Sequence, residues 1–340
     1  HPECVGDWNI SGAYPDCSCG FVCAQEPEPE PEANLTKSTV FLYSTLKPLS
    51  LGHYELWAET GETLSSIATF GSGASLKIET PLDLSGAERI FVTIEPEDDS
   101  DPAPGVEYLS GALAGGKANL TFGTDFSGAN GSYVLLNATG PGDNDKTNGV
   151  WFMSQTVPRE AALKLPALRE GWVYEGWALH KGVYLSTGKF TTAYGSDSSS
   201  YFSGPGEAPK FPGEDFLANA PFGIPFPANL DDGSTKIFIS AEPVLEGTDP
   251  TGPEPFAIRI LGADIDGNSR AGIAYPLKRE SLYNPPYGDV QISISLPGKI
   301  ACVEYCASQP HEACIGSWNI TGDYHPDCVC DFKCRDRPSD

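Results

Sequence analysis

The stretch LPALREGWVYEGWALHKGVYLSTGKF, Leu165 to Phe190, decides the fold because it is written twice. Its shorter counterpart, LKPLSLGHYELWAETGETLSSIATF, runs from Leu46 to Phe70. Tyr54, Glu55, Trp57 and Ala58 align with Tyr174, Glu175, Trp177 and Ala178, and each Trp stands 13 positions before a Phe. Downstream, RIFVTIEP (Arg89–Pro96) is repeated as KIFISAEP (Lys236–Pro243). Two shared blocks in the same order mark one duplicated unit. The Trp residues are 120 positions apart and the closing Pro residues 147, so copy two carries 27 extra residues between its blocks.

Within the blocks the spacing is that of strands. Ile90, Val92 and Ile94 alternate with Phe91 and Thr93, and Val290, Ile292, Ile294 and Leu296 alternate with Gln291, Ser293 and Ser295. TVFLY, HYELWAE, SLKIE, NLTF, SYVLL, KIFISA and FAIRIL read the same way, with turns at GETLSS, LSGAE and EDDSDPAPG. With 37 Gly and 30 Pro and no sustained 3.6-residue period, the chain reads as all-β: two tandem β-sandwiches of short strands. Residues 34–117 make the first and 118–300 an enlarged second, whose Ser/Gly/Pro-rich insertion at 191–222 is long enough to carry a function.

The ends repeat as well. CVGDWNISGAYPDCSCGFVC (4–23) and CIGSWNITGDYHPDCVCDFKC (314–334) differ in length by one residue near His325. A module this short cannot bury enough apolar surface to fold alone, so its cysteines must staple it. Cys4, Cys17, Cys19 and Cys23 serve the module at 1–25; Cys314, Cys328, Cys330 and Cys334 serve the one at 301–340. Zinc is the alternative for four cysteines, but C-x-C does not fit the C-x2-C knuckle. Cys302 and Cys306 are additional, and either pair with each other or tie the module to the body. Between the first module and the first sandwich, EPEPEPE spans Glu26 to Glu32 of the 26–33 spacer, an extended, self-repelling segment of polyproline type.

The formal charge of −25 repels a phosphate backbone, so nucleic acid is excluded as a partner. No apolar run is long enough for a transmembrane helix. A chain that opens on His1 and confines its ten cysteines to its ends reads as a mature secreted protein, extracellular or on the cell surface. Six of its 12 asparagines stand in N-x-S/T: Asn9, Asn34, Asn119, Asn130, Asn137 and Asn319. That excess points to a glycosylated surface.

The pattern Leu-x-x-Leu, Gly, Tyr-x-x-Trp-Ala, Gly-x-Phe, then Val-Thr-Ile-Glu-Pro, resembles the extracytoplasmic β-sandwich domain of anti-sigma-K factors. Residues Leu46–Leu113 and Leu165–Leu261 carry it. NGVWF (Asn148–Phe152) and FPGEDFLANAP (Phe211–Pro221) are similar to bacterial surface proteins that contain that domain. The resemblance implies a sandwich fold and brings no catalytic residues. The sequence holds neither a sigma-binding segment nor a membrane helix, so sigma regulation is not expected.

Chemistry-bearing motifs are sparse. GALAGGKA (Gly111–Ala118) has Ala118 where a phosphate-binding loop needs Ser or Thr. The five histidines are scattered, without H-E-x-x-H or G-x-S-x-G, so no enzyme and no cofactor are expected. Asp264, Asp266 and Asn268, and likewise Asp143 and Asp145, have the alternation of a calcium loop, but Tyr275 and Ser154 stand where its bidentate Glu belongs. Such turns are also common without metal. Trp57 and Trp177, with Tyr54 and Tyr174, read as core anchors rather than a sugar platform. Like ends around a duplicated body suggest an extracellular structural subunit that joins copies of itself head to tail into a filament or coat. The alternative is a monomeric adhesion protein binding surface glycans through 191–222.

Overall fold

A computed structural model describes residues 6–11, 18–23, 37–73, 75–141, 147–247, 249–279, 285–295, 302–309, 316–322 and 327–334. Among these, β1 (Gly6–Ser11) and β2 (Ser18–Cys23) pair as a hairpin. The first copy follows with β3 (Lys37–Ser44), β4 (His53–Thr60), β5 (Thr63–Phe70), β6 (Ser75–Thr80), β7 (Arg89–Glu95), β8 (Val106–Ala112) and β9 (Lys117–Thr121). The second supplies β10 (Asn130–Leu135), β11 (Gly149–Trp151), β12 (Leu163–Lys164), β13 (Trp172–His180), β14 (Val183–Phe190) and β15 (Gly213–Asp215). It continues with β16 (Lys236–Pro243), β17 (Ile258–Asp264), β18 (Ala274–Arg279) and β19 (Tyr287–Ser295). A short helix, α1 (Cys302–Ala307), precedes a closing hairpin of β20 (Gly316–Thr321) and β21 (Val329–Cys334).

The expected all-β architecture is present. One large sheet has the order β5-β4-β7-β8-β9-β19-β3-β6, and the other β14-β13-β16-β17-β18-β10-β11-β15, with β12 also on β10. In the first sheet the two edge strands, β5 and β6, follow one another in the chain, so the sheet must curl to bring its ends together. It therefore packs against itself as a sandwich. Alternation does the burying: in β9, Ala118 and Leu120 face in while Lys117, Asn119 and Thr121 face out.

Compared position by position, the two orders are one topology, except in where the chain supplies the sixth strand. β19, the last strand of the second copy, lies between β9 and β3 of the first, with Val290 opposite Ala118 on one side and Leu42 on the other. β10, which follows β9 in the chain, lies instead beside β18 of the second copy, with Tyr133 opposite Tyr275. The boundary that the sequence suggests at 117/118 thus does not separate two self-contained sandwiches. Along the chain the second sheet is one continuous stretch, β10 to β18, set between β9 and β19 of the first; by topology β10 and β19 hold matching places, and one apolar cluster runs through both sheets.

An aromatic seam joins the two sheets. The Trp172 ring lies 4.7 Å from Phe122, 5.5 Å from Tyr108 and 5.5 Å from Phe256, and its Nε1 donates to the Glu107 carbonyl at 2.9 Å. Arg169 donates to Glu107 Oε1 at 2.7 Å and stacks over Phe122.

Local corrections have simple causes. GETLSS is not all turn: a two-residue reversal at Gly61 and Glu62 leads directly into β5, with Gly61 at φ 58°. The matching reversal in copy two has both Lys181 (φ 50°) and Gly182 (φ 80°) left-handed, the type I′ geometry that suits strand twist. The 191–222 insertion is pinned rather than loose. Its β15 pairs with β11, Phe202 packs on Phe216 and Phe226, and Asp197 accepts the Ser199 and Gly213 amides.

The end modules share a register. Trp8 opposes Phe21 in the first hairpin as Trp318 opposes Phe332 in the second. Cys302 and Cys306 do not pair with each other. Cys302 bonds Cys328 and Cys306 bonds Cys330, and α1 lies beside β6 with Glu304 4.0 Å from Lys77. The helix therefore ties the closing hairpin to the body.

Candidate functional site

The most site-like arrangement is a pair of buried carboxyl networks, one per copy. In β4 and β7 the register sets Trp57 opposite Phe91 and Glu55 opposite Thr93, so one sheet face carries Trp57, Glu55, Phe91, Thr93 and Glu95. Trp57 and Phe91 stack, and Arg89 covers the Phe91 ring. Trp57 Nε1 donates to Thr93 Oγ1 at 3.0 Å, and Thr93 Oγ1 donates on to Glu95. Glu95 also accepts the Gly105 amide at 2.9 Å, and Ser66 donates to Glu55.

Copy two reproduces each contact. Trp177 Nε1 donates to Ser240 Oγ at 2.9 Å, Ser240 to Glu242, and Ser186 to Glu175, while the Phe256 amide closes on Glu242 at 3.0 Å. Burial pushes the Glu95 and Glu175 carboxyls up and holds Glu242 at about 8. Glu95 is 1% exposed and Glu242 2%. A carboxyl sealed to this degree cannot pass a proton to a bound substrate. These groups hold strands together; they are not an acid–base pair. Sequence reading missed them because Glu in a strand ordinarily marks the wet face. The one available signal was that both Glu positions recur in both copies.

A third buried acid group sits under the insertion. Asp215 accepts Thr139 Oγ1 at 2.7 Å and Trp151 Nε1 at 2.9 Å. Beside it Glu214 accepts from Ser203, and burial raises Glu214 to about 7 and Asp197 to about 6.

Two clefts of similar size lie elsewhere. One, about 650 Å³, is lined by 161–167, Tyr174 and 191–194, with Lys164 as its charged side chain. The other, about 630 Å³, lies where the two copies meet, with Lys47, Lys236, Arg259 and Glu254 on its walls. Neither is lined by a His, a Cys or two carboxylates.

The residues singled out from sequence are dispersed. Asp264 is exposed and 3.7 Å from Lys236 Nζ, while Asp266 accepts the Asn268 amide in a tight turn. Asp143 and Asp145 lie outside the described residues. Among the described residues no three His, Cys, Asp or Glu side chains converge as a metal site. Asn119, Asn130 and Asn319 are exposed. Asn137 is the exception to the expected glycosylated surface: it is 3% exposed and accepts the Gly140 amide at 3.0 Å, leaving a glycan no room. Asn9 is placed by its backbone alone, opposite Gly20, and Asn34 lies outside the described residues. Cys4, Cys17 and Cys314 also lie outside them, and Cys19, Cys23 and Cys334 are placed by backbone register.

Trp57, Trp177, Tyr54 and Tyr174 are buried, as core anchors are. No helix among the described residues is long and apolar enough to cross a membrane. Compared with protein-family models, with curated proteins and with solved structures, the chain matches none.

Proposed function

We propose that this protein is an extracellular structural subunit that joins copies of itself head to tail. One observation carries the reading: the same hairpin, in the same register, closes both ends of the described chain around a duplicated body. A contact between unlike surfaces repeats without closing unless the rotation happens to complete a ring, and repetition without closure makes a fibre. The body suits a passive role, since Glu95, Glu175, Glu214, Asp215 and Glu242 are buried and bonded to neighbouring strands and loops. Size-exclusion chromatography with light scattering, on non-reduced protein over a hundredfold range of concentration, tests the proposal. Mass growing with concentration supports it; a constant monomer mass refutes it.

A second reading has its own support. The 191–222 insertion exposes Tyr194 (75%), Tyr201 (63%) and Phe222 (105%), the kind of side chains that stack on sugar rings. On this reading the protein is a monomeric glycan binder. Glycan-array binding that disappears in a Tyr194→Ala/Tyr201→Ala/Phe222→Ala variant would favour it over assembly.

A further inference from the structure

The two copies treat one position of the fold in opposite ways. In copy one the base at the head of β7, Arg89, lies opposite Glu59 of β4 and is held between two carboxylates, 2.6 Å from Glu59 and 2.8 Å from Glu107. In copy two the base is Lys236, at the head of β16. Leu179 stands opposite it where Glu59 stood, and Arg259 stands opposite Ser240 as Glu107 stands opposite Thr93. Both acids are gone and a second cation has come in. Lys236 keeps a looser contact to Asp264, at 3.7 Å and with that carboxylate 82% exposed. Arg259 is held by rings instead: it donates to Tyr184 Oη at 3.0 Å and lies 4.8 Å over Phe238.

Lys236 and Arg259 both line the cleft of about 630 Å³ where the copies meet, and so does Lys47 of copy one. Among the described residues neither Arg259 nor Lys47 has a carboxylate at ion-pair distance. The cleft is lined by three bases and one acid, Glu254, in a chain of 21 bases and 46 acids. The overall charge repels anions at long range, but that field fades over about 8 Å at physiological salt, so the lining decides what enters.

The walls say more about the ligand. Pro255, Phe256 and Pro286 are buried beneath the cleft, and Ser50 and Thr251 add hydroxyls. An apolar floor with a few polar groups, at this volume, suits a small ligand. An extended peptide finds few main-chain donors. The four prolines of the lining have no N–H, and the amides of Thr45, Ser50, Phe256 and Tyr287 are already bonded within the chain. Recognition therefore falls to side chains, cations and hydroxyls over an apolar base, which match the acid group, the hydroxyls and the C–H face of a sugar acid.

We propose that this cleft binds an acidic saccharide, its carboxylate or sulfate held by Lys47, Lys236 and Arg259 and its ring resting on the proline floor. The site is separate from the aromatic side chains of 191–222 and does not depend on head-to-tail assembly.

Isothermal titration calorimetry of the full-length, non-reduced protein tests this. The probes are trigalacturonate, its fully methyl-esterified form, a sulfated trisaccharide, and a peptide of alternating Glu and Pro. The expected result is saturable binding of at least one of the two acidic saccharides, weakening as salt is raised, and none of the ester. Lys47→Glu and Arg259→Gln should each weaken it about tenfold or more, and Glu254→Gln should tighten it. Lys47 and Glu254 are exposed, so those two variants keep the fold even if Arg259→Gln does not. The proposal is overturned if neither acidic saccharide binds, if binding survives esterification, if it ignores Lys47→Glu and Glu254→Gln, or if the peptide binds more tightly than the saccharides.

Discussion

Glu242 shows how much of this molecule is settled by single side chains. It is buried, accepts hydrogen bonds from Ser240 Oγ and the Phe256 amide, and burial pushes its carboxyl up to about 8. Glu214 (about 7), Asp197 (about 6), Glu95 and Glu175 are all raised by burial in the same way. For each of them the folded chain binds its proton more tightly than the unfolded chain does. The stability they contribute is complete below the ordinary carboxylate range and is lost as pH rises through 6 to 8. His180 opposes them, its burial lowering its pKa, but it is one group against five. Thermal melts should therefore fall by roughly 5 °C or more between pH 5 and pH 9, and Glu242→Gln should flatten the slope. A melting temperature that climbs over this range contradicts the account.

A second residue-scale test uses the duplication itself. Leu56 is fully buried, and the residue aligned with it is Gly176, where a Cβ would lie 2.5 Å from the Phe152 ring and 2.3 Å from Thr187 Oγ1. Phe152 occupies the space that Leu56 fills in the other copy. Leu56→Ala should cost about 2–5 kcal/mol through a cavity, and Gly176→Ala about 1–3 kcal/mol through overpacking, both read by urea denaturation. Equal tolerance at both positions would mean that the two cores are not packed as described.

At the scale of elements, the strands were legible in the sequence and their partners were not. Ile90/Val92/Ile94 and Val290/Ile292/Ile294 announce strands because a period of two survives in any sheet with a buried face. That same pattern is indifferent to which sheet receives the strand. Nothing local in β19 says that it pairs with β3, some 250 residues earlier in the chain. The short helix α1 escaped notice for a related reason: six residues give no period, although Cys302 and Cys306 at i and i+4 already stood on one helical face. The buried acids escaped because their burial comes from neighbouring strands, not from their own.

The placement of β19 makes a sharp prediction. Val290→Asp places a charge in the first sheet's core, although residue 290 belongs by sequence to the second copy, and should cost on the order of 4 kcal/mol. Hydrogen exchange should show amides of β3 and β9 losing protection. If loss is confined to strands of the second sheet, β19 is not where it is described.

The whole molecule is one interlocked body with two similar ends. The first sheet takes its central strand β19 from beyond the second, one core runs through both sandwiches, and the Trp172 seam lies between them. The first sheet is closed by β19, which the chain reaches only after the whole second sheet, and the two sheets share a core. Calorimetry of the disulfide-intact protein should therefore give a single transition for the two sandwiches, with calorimetric and van't Hoff enthalpies in agreement, rather than two separated peaks. A rigid body of this kind, ending in twin hairpins, suits a building block. The most direct measurement is negative-stain imaging of the non-reduced protein purified from its native source. The account predicts linear particles in which one two-lobed body repeats along the axis with the same polarity. A field of isolated bodies at every concentration, or closed pairs joined through like ends, would contradict it.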